Sequence, residues 1–321
     1  MALYLTENDV EHLITMHDVL EAVEGAFRRQ ARGDVLNQPR RRLHLPEGTY
    51  HTMVAADLGL NTFALKAYTS YRAQNKFLVL LYDAGSGNLL ALIEANRLGQ
   101  MRTGAATGIA TKYLARREKP LAVGIYGTGW QAQSQLEAVC AACSVESIWV
   151  YGRDVARREA FCALMASRLN LPVLSEGSPE LTAAGKEVLI TATTSAHPVL
   201  RGEWVAPGCH INAIGSNMLM RREVDDETLR RSDLIVVDSI EQSKMEAGDL
   251  LPPFERRLFR WEEVVELSDL VGGRREGRTS AEQITFFKSN GIAMEDVAVA
   301  TLAYQKAMRS DAGKDIALWE A

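Results

Sequence analysis

The feature that most constrains this chain is the run Leu121-Ala-Val-Gly-Ile-Tyr126, which passes directly into Gly127-Thr128-Gly129-Trp130-Gln131-Ala132. The apolar run reads as a buried strand, and helical periodicity follows the second glycine. Gly-x-Gly-x-x-Ala between a strand and a helix has a physical reading. The first glycine permits the tight turn, the second lets a pyrophosphate approach the backbone, and Ala132 lets the helix pack close to the sheet. The helix N-terminus then offers unpaired N–H groups and the positive end of its dipole to the phosphates. Downstream, short apolar segments at 148–151, 187–192, 210–214, 234–238 and 284–287 alternate with amphipathic stretches such as 155–169. That alternation predicts a parallel sheet covered by helices, a Rossmann-type dinucleotide-binding α/β domain.

The end of the second strand chooses the dinucleotide. An acid there binds the ribose 2′-hydroxyl of NAD. Here the stretch is Val150-Tyr-Gly-Arg153-Asp154, with Gly152 where the acid is expected and Arg153 beside it. A guanidinium pairs well with a 2′-phosphate, and Arg157 or Arg158 is placed to help. NADP(H) is the expected cofactor and NAD(H) the alternative. Thr193 and Thr194, after the segment 187–192, and Ser289, after 284–287, are expected to border the nicotinamide.

The first third has a different grammar. Thr6 with Asp9 predicts a capped helix start, and Val19, Leu20, Val23, Ala26 and Phe27 mark one face of a second helix that Gly33 ends. Strands are expected at 49–56, 63–71, 77–82 and 89–94, the last two joined by the turn Asp83-Ala-Gly-Ser-Gly-Asn88. A helix over 97–116 follows and is broken by Glu118-Lys119-Pro120; a final helix covers 294–308, started by Glu295-Asp296. The expected organisation is a smaller α+β substrate-binding and dimerisation domain, 1–118 with 296–321, and a dinucleotide-binding domain, 119–295.

A net charge of −5 over 321 residues argues against a nucleic-acid surface. The chain shows neither a signal peptide nor an apolar stretch of membrane-spanning length, so the expected location is the cytoplasm. Cys140-Ala-Ala-Cys143 sits late in a predicted helix, where a redox pair is not expected, and no metal site is expected. His197 is read as a loop residue and His210 as a core residue.

Within the first domain three cations stand out. Arg41 lies in Gln38-Pro-Arg-Arg-Arg42, Lys66 inside the apolar strand Phe63-Ala-Leu-Lys-Ala67, and Arg102 near a helix start in Met101-Arg-Thr-Gly-Ala105. A cation in an apolar run is costly unless paired, and fixed cations suit a small carboxylate ligand. Arg40 and Arg42 compete with Arg41 for that role.

In these residues and in further motifs the chain resembles the ornithine cyclodeaminase/μ-crystallin family over nearly its whole length. The matching pieces are Gln-Pro-x-Arg at 38–41, Lys66, Arg102-Thr103 and Gly127-x-Gly129-x-x-Ala132, then Ile211-Asn-Ala-Ile-Gly-Ser216, Glu223-Val-Asp225, Glu246-Ala-Gly-Asp249 and Ile284 through Asp296. The resemblance implies a homodimer of two-domain subunits, with the C-terminal helix joining the first domain. It implies that Arg41, Lys66 and Arg102 hold a substrate carboxylate, that Lys66 acts near the reacting C–N centre, and that Thr103 and Ser216 belong with the cofactor residues. Two positions depart from the cyclodeaminase pattern. Asn217 stands where several members carry an acid/base Asp, and His51 stands where the cyclodeaminase has an acid binding the substrate amine. An amide does not exchange protons usefully near neutral pH.

The expected function is therefore NAD(P)H-dependent reduction of a small α-imino acid to the amino acid, as in a ketimine reductase or amino-acid dehydrogenase. Lys66, His51 or an ordered water is the proton donor, in that order, and Asn217 or Ser216 hydrogen-bonds the amine or the cofactor amide. The alternatives are an ornithine-type cyclodeaminase, and a non-catalytic crystallin-like protein that binds the dinucleotide.

Overall fold

The structure is a computed structural model that describes residues 2–71, 75–116 and 118–318. The chain forms two compact units, Met1–Arg102 with Gly291–Ala321, and Thr103–Asn290. The division falls inside the helix Asn96–Leu114, upstream of the break at Pro120, because one continuous helix carries the chain from the first unit to the second.

The first unit is built on a mixed sheet. Its strands run in the order Lys314–Ile316, Ala2–Leu5, Leu89–Glu94, Asn75–Asp83, Thr62–Tyr71, Gly48–Asp57 and Val35–Asn37, and Arg41–Leu45 also pairs with Gly48–Asp57. Each pairing is antiparallel except that of Ala2–Leu5 with Leu89–Glu94. The expected hairpins are present, while the short strands at both ends of the chain lacked an alternating pattern long enough to read.

Strict alternation gives this sheet two faces. Met53, Ala55, Ala64, Val79, Leu81, Ala91 and Ile93 are buried on one of them. The helices Met16–Ala31 and Ala293–Ser310 form part of the same unit, and the second packs on the first and on strands Gly48–Asp57 and Thr62–Tyr71. The last helix is buried all round over 293–301 and on one face beyond, with Ala293, Met294, Val297, Val299, Ala300 and Ala303 in the core. Thr6 and Thr15 each close a capping box, with Asp9 and Asp18.

The second unit holds a parallel sheet in the order Val173–Glu176, Val145–Tyr151, Leu121–Tyr126, Val188–Thr191, His210–Ala213, Thr285–Lys288, Leu234–Val237, Val265–Glu266. Numbered along this unit, the first five follow the 3-2-1-4-5 order of a Rossmann sheet. Every residue of Leu121–Tyr126, Val188–Thr191, His210–Ala213 and Thr285–Lys288 is buried, as expected for strands covered on both faces. Two apolar cores flank the sheet, one around Val123, Ile125, Leu136, Ile148 and Met165, the other around Tyr126, Leu189, Ile211, Val237 and Phe286.

Candidate active site

In the second unit the turn after Leu121–Tyr126 opens at the carboxyl end of the sheet, where the strand order reverses between Leu121–Tyr126 and Val188–Thr191. That crevice is where open parallel sheets bind ligands. Gly127 has φ +115°, and a Cβ there would lie 2.3 Å from the Ala192 carbonyl oxygen, so this position accepts only glycine without strain. Gly129 is different: a Cβ would meet no protein atom within 4 Å. The protein itself does not require that glycine, and the open space over it suits a closely approaching pyrophosphate. Gly129 is also the N-cap of helix Trp130–Ala142 and gives it no side-chain cap, which leaves first-turn N–H groups for an anion. Ala132 is fully buried against the sheet.

A cleft of about 1220 Å³ starts at this turn. Gly127, Thr128, Gly129, Trp130, Arg153, Thr193 and Thr194 line it, whereas Gln131 and Ala132 stand behind the wall. Its size and lining fit a dinucleotide. At the ribose end, Asp154 does not offer a carboxylate in the manner of an NAD-selective acid, because its Oδ1 accepts the Arg157 backbone N–H at 3.0 Å as a helix cap. Arg153 and Arg157 are exposed on the cleft wall. Arg158 is turned inward, donating to the Gly152 carbonyl at 2.8 Å and to Ser175 Oγ at 2.7 Å, so it braces the turn.

The strand ends that frame the cleft are tied together by a carboxylate. Glu223 is fully buried. It accepts from Thr193 N at 2.6 Å, Thr193 Oγ1 at 2.8 Å, Thr191 Oγ1 at 3.0 Å and Gly215 N at 2.6 Å. Asp249 accepts the Glu223 N–H at 2.6 Å and pairs with Lys288 at 2.9 Å, and Lys288 Nζ donates to the Ser216 carbonyl at 2.6 Å. Ser216 is buried and Asn217 half-buried at the end of this loop. The Ser289 hydroxyl donates to Asp238 at 3.0 Å, and Thr103 lies in the helix Asn96–Leu114.

The first unit brings a second constellation together. Lys66 Nζ donates to Asp296 Oδ1 at 2.8 Å, and Arg102 Nε donates to the same oxygen at 3.0 Å. Arg102 Nη1 donates to Glu295 Oε2 at 2.8 Å. Arg40 Nη2 donates to the Gly291 carbonyl at 3.0 Å. All five charged side chains are buried. Two glycines make the room. A Cβ at Gly99 would come within 3.1 Å of Lys66 Nζ, and one at Gly291, where φ is +74°, within 2.4 Å of Arg102 Nη1.

Burial, and then the Arg102 charge, lower the Lys66 pKa to about 8 despite Asp296. Burial also works against the Arg102 charge, but Asp296 and Glu295 more than offset it and hold its pKa above the usual value. One rung along the sheet, His51, Tyr68 and Phe77 stack across three strands, with ring centroids 4.1 and 4.9 Å apart. Lys66 Nζ lies 5.8 Å from the Tyr68 ring and 5.4 Å from the Phe77 ring, within cation–π range. Burial and then Arg42 and Arg40 push the His51 pKa down to about 4, so this imidazole is neutral at pH 7.

Of the residues expected from sequence, Lys66, Arg102 and His51 are thus buried in one neighbourhood. Arg41 is exposed on an edge strand, and Arg40 takes the buried position. One residue of strand register decides this, and the run of three arginines does not reveal it. Glu295 and Asp296, read from sequence as a helix start, are buried counter-charges. Their signal was available: two adjacent acids open a helix and are followed at once by the apolar run Val297-Ala-Val-Ala300.

Comparison with known proteins agrees with this architecture. The model of the ornithine cyclodeaminase/mu-crystallin family matches residues 2–311. The chain belongs to this family. It is 34% identical to an alanine dehydrogenase of Archaeoglobus fulgidus, over 98% of each chain. The structure of Thermococcus litoralis Δ1-pyrroline-2-carboxylate reductase, in complex with NADH and L-proline, superposes with a TM-score of 0.93 at 35% identity, covering 98% of this chain and all of the other. An archaeal alanine dehydrogenase dimer with bound NAD superposes equally well, at 32% identity over 99% of each chain. Among the described residues no helix is long and apolar enough to cross a membrane.

Proposed function

We propose that this family member is a reductase of small α-imino acids that uses NADPH in preference to NADH. The observation that carries the reading is the buried cluster of Arg40, Lys66 and Arg102 against Glu295 and Asp296, a cation-rich site for a carboxylate, in a chain whose second unit has a dinucleotide cleft. When bound, the reduced nicotinamide supplies a hydride. Relatives acting on alanine and on Δ1-pyrroline-2-carboxylate support a reaction at a carbon bonded to nitrogen and adjacent to a carboxylate.

In this reading Arg40 and Arg102 fix the substrate carboxylate, and orientation supplies much of the rate. Lys66 protonates the imine nitrogen. A group with pKa about 8 is a competent donor at neutral pH. His51 is not, because at pKa about 4 it carries no proton to give, and Asn217 is an amide. His51 instead walls the site beside Tyr68, and Asn217, on the second unit, hydrogen-bonds the cofactor carboxamide. Glu223 positions the Thr193 and Gly215 backbones that border the cofactor.

The preference for NADPH rests on Gly152 in place of an acid, on Asp154 being spent as a helix cap, and on Arg153 and Arg157 at the cleft wall. The working form is a homodimer. Leu36, Leu43, Tyr50 and Leu78 all lie on the sheet face opposite the buried residues, with exposures of 61, 59, 36 and 39%. Such a patch calls for a partner, and a related alanine dehydrogenase was solved as a dimer.

The test is NADPH and NADH oxidation over a panel of 2-oxo acids with ammonia or methylamine, together with Δ1-pyrroline-2-carboxylate. Reduction of at least one imino acid, faster with NADPH, is expected. Absence of oxidation with every member contradicts the reading.

A further inference from the structure

A buried charge cluster lies behind the wall of the dinucleotide cleft. Thr193 lines the cleft, and its backbone N–H and hydroxyl both donate to one oxygen of Glu223, at 2.6 and 2.8 Å. The other oxygen takes the Gly215 N–H at 2.6 Å and the Thr191 hydroxyl at 3.0 Å. Glu223 therefore stands one hydrogen bond behind the cleft surface. Burial and then Asp249 raise its pKa, but four donors, two on each oxygen, hold the ionised form, which is an acceptor only. The charges that act on it are Asp249 and Lys288. Asp249 Oδ1 accepts the Glu223 and Val224 N–H groups at 2.6 and 3.2 Å, and its Oδ2 meets Lys288 Nζ at 2.9 Å. Arg222, next in the chain, pairs instead with Asp226 at 2.7 Å. Glu223, Asp249 and Lys288 are fully buried, so water does not screen them. Two carboxylates and one ammonium leave this set, among the described residues, at one net negative charge.

We propose that Glu223, Asp249 and Lys288 act together as a fixed negative charge that favours the oxidised nicotinamide over the reduced one, and so eases departure of the hydride toward the imino acid. The inference rests on the reductase reading, in which Thr193 borders the nicotinamide, and goes beyond it. The oxidised and reduced dinucleotides differ by one hydride, and so by one positive charge on that ring. A carboxylate that only braced the Thr193 and Gly215 backbones would serve both forms equally. A carboxylate whose charge is felt at the ring distinguishes them, as preorganised charges do where charge develops in a reaction. At an effective dielectric constant of about 20, one unit charge changes the ratio of the two affinities tenfold at a separation of about 12 Å, and more at shorter range. A ring in contact with the Thr193 wall lies inside that range.

The experiment measures Kd for NADP+ and for NADPH by calorimetry, in the wild type and three variants. Glu223→Gln removes the charge nearest the cleft. Asp249→Asn removes the other negative charge and keeps an oxygen for the Glu223 and Val224 N–H groups. Thr191→Val removes one donor to Glu223 and leaves every charge in place. The ratio of Kd for NADP+ to Kd for NADPH should rise about tenfold or more in Glu223→Gln and about threefold or more in Asp249→Asn, and should stay within about twofold in Thr191→Val. If Glu223→Gln binds neither form, Asp249→Asn decides. An unchanged or lower ratio in a charge-removing variant that binds both forms overturns this inference and leaves the reductase reading standing. So does an equal rise in Thr191→Val, or loss of both forms by both charge-removing variants, since each marks the carboxylate as a brace alone. A wild type that binds neither dinucleotide overturns the reductase reading and this inference with it.

Discussion

Replacing Asp296 by asparagine should move the alkaline limb of the reductase pH profile to lower pH. The Asp296 carboxylate lies 2.8 Å from Lys66 Nζ and is the neighbour that most favours its protonated form. A full unit charge at that distance, at an effective dielectric constant near 20, is worth about 6 kcal/mol, or about 4 pKa units as a ceiling. Relaxation and water entry reduce this, and a fall of about 2 units is the working figure. Lys66, at about 8 in the wild type, would then titrate near 6. Reduction needs the protonated amine, so activity is present below the pKa and lost as pH rises through it. At pH 7 the wild type is about nine-tenths protonated and the variant about one-tenth, a loss of about tenfold that should be mostly recovered at pH 5.5. The assay is kcat/KM for Δ1-pyrroline-2-carboxylate from pH 5 to 10. The substrate iminium titrates identically in both proteins, so the difference between profiles isolates the protein. An alkaline limb that stays at the wild-type position, or moves to higher pH, refutes the assignment of Lys66 as the acid held by Asp296.

Arg153→Ala should weaken NADPH binding by about tenfold or more and leave NADH within about twofold, read by fluorescence titration; equal effects on both would remove Arg153 from the 2′-phosphate argument. The two glycines of the turn should fail differently: Gly127→Ala should destabilise by about 2 kcal/mol or more, whereas Gly129→Val should keep its Tm and lose dinucleotide affinity. Arg40→Ala should raise KM for the imino acid by about tenfold or more, and Arg41→Ala should leave it within about twofold. His51 titrates near 4 in the fold against 6.5 in the unfolded chain, so the unfolded state binds more protons in that interval. Stability should therefore fall as pH drops from about 6.5 to 4, by up to about 3 kcal/mol, and His51→Phe should flatten that part of the Tm profile.

Much of the fold was legible because it rests on local patterns. The segment Leu121–Tyr126 and the helix Val155–Leu169 match their sequence limits, since unbroken apolar runs and amphipathic periods have sharp ends. The edge strand Val173–Glu176 and the two-residue strand Val265–Glu266 were missed. Each is short, and its pairing comes from a neighbour already in place. The site divides in the same way. Lys66 and Arg102 are visible as charges in apolar surroundings, and the glycine turn is a motif with its own mechanics. Arg40 against Arg41 depends on strand register, which three consecutive arginines hide. The pairing of Asp296 with Lys66 spans 230 positions of chain, and nothing local announces it. Glu223, Asp249 and Lys288 entered the sequence reading only as matching motif letters; their joint role in holding the Thr193 and Gly215 backbones emerges when three strand ends are seen side by side.

The most direct test of the central claim follows the hydride itself. The protein is incubated with Δ1-pyrroline-2-carboxylate and NADPH deuterated at nicotinamide C4, and in a parallel vessel with L-ornithine and NAD but no reductant. Proline carrying one deuteron at Cα in the first vessel, and no proline or ammonia in the second, is the predicted result. Proline and ammonia from ornithine, with no deuterium transferred in the first vessel, would contradict the account.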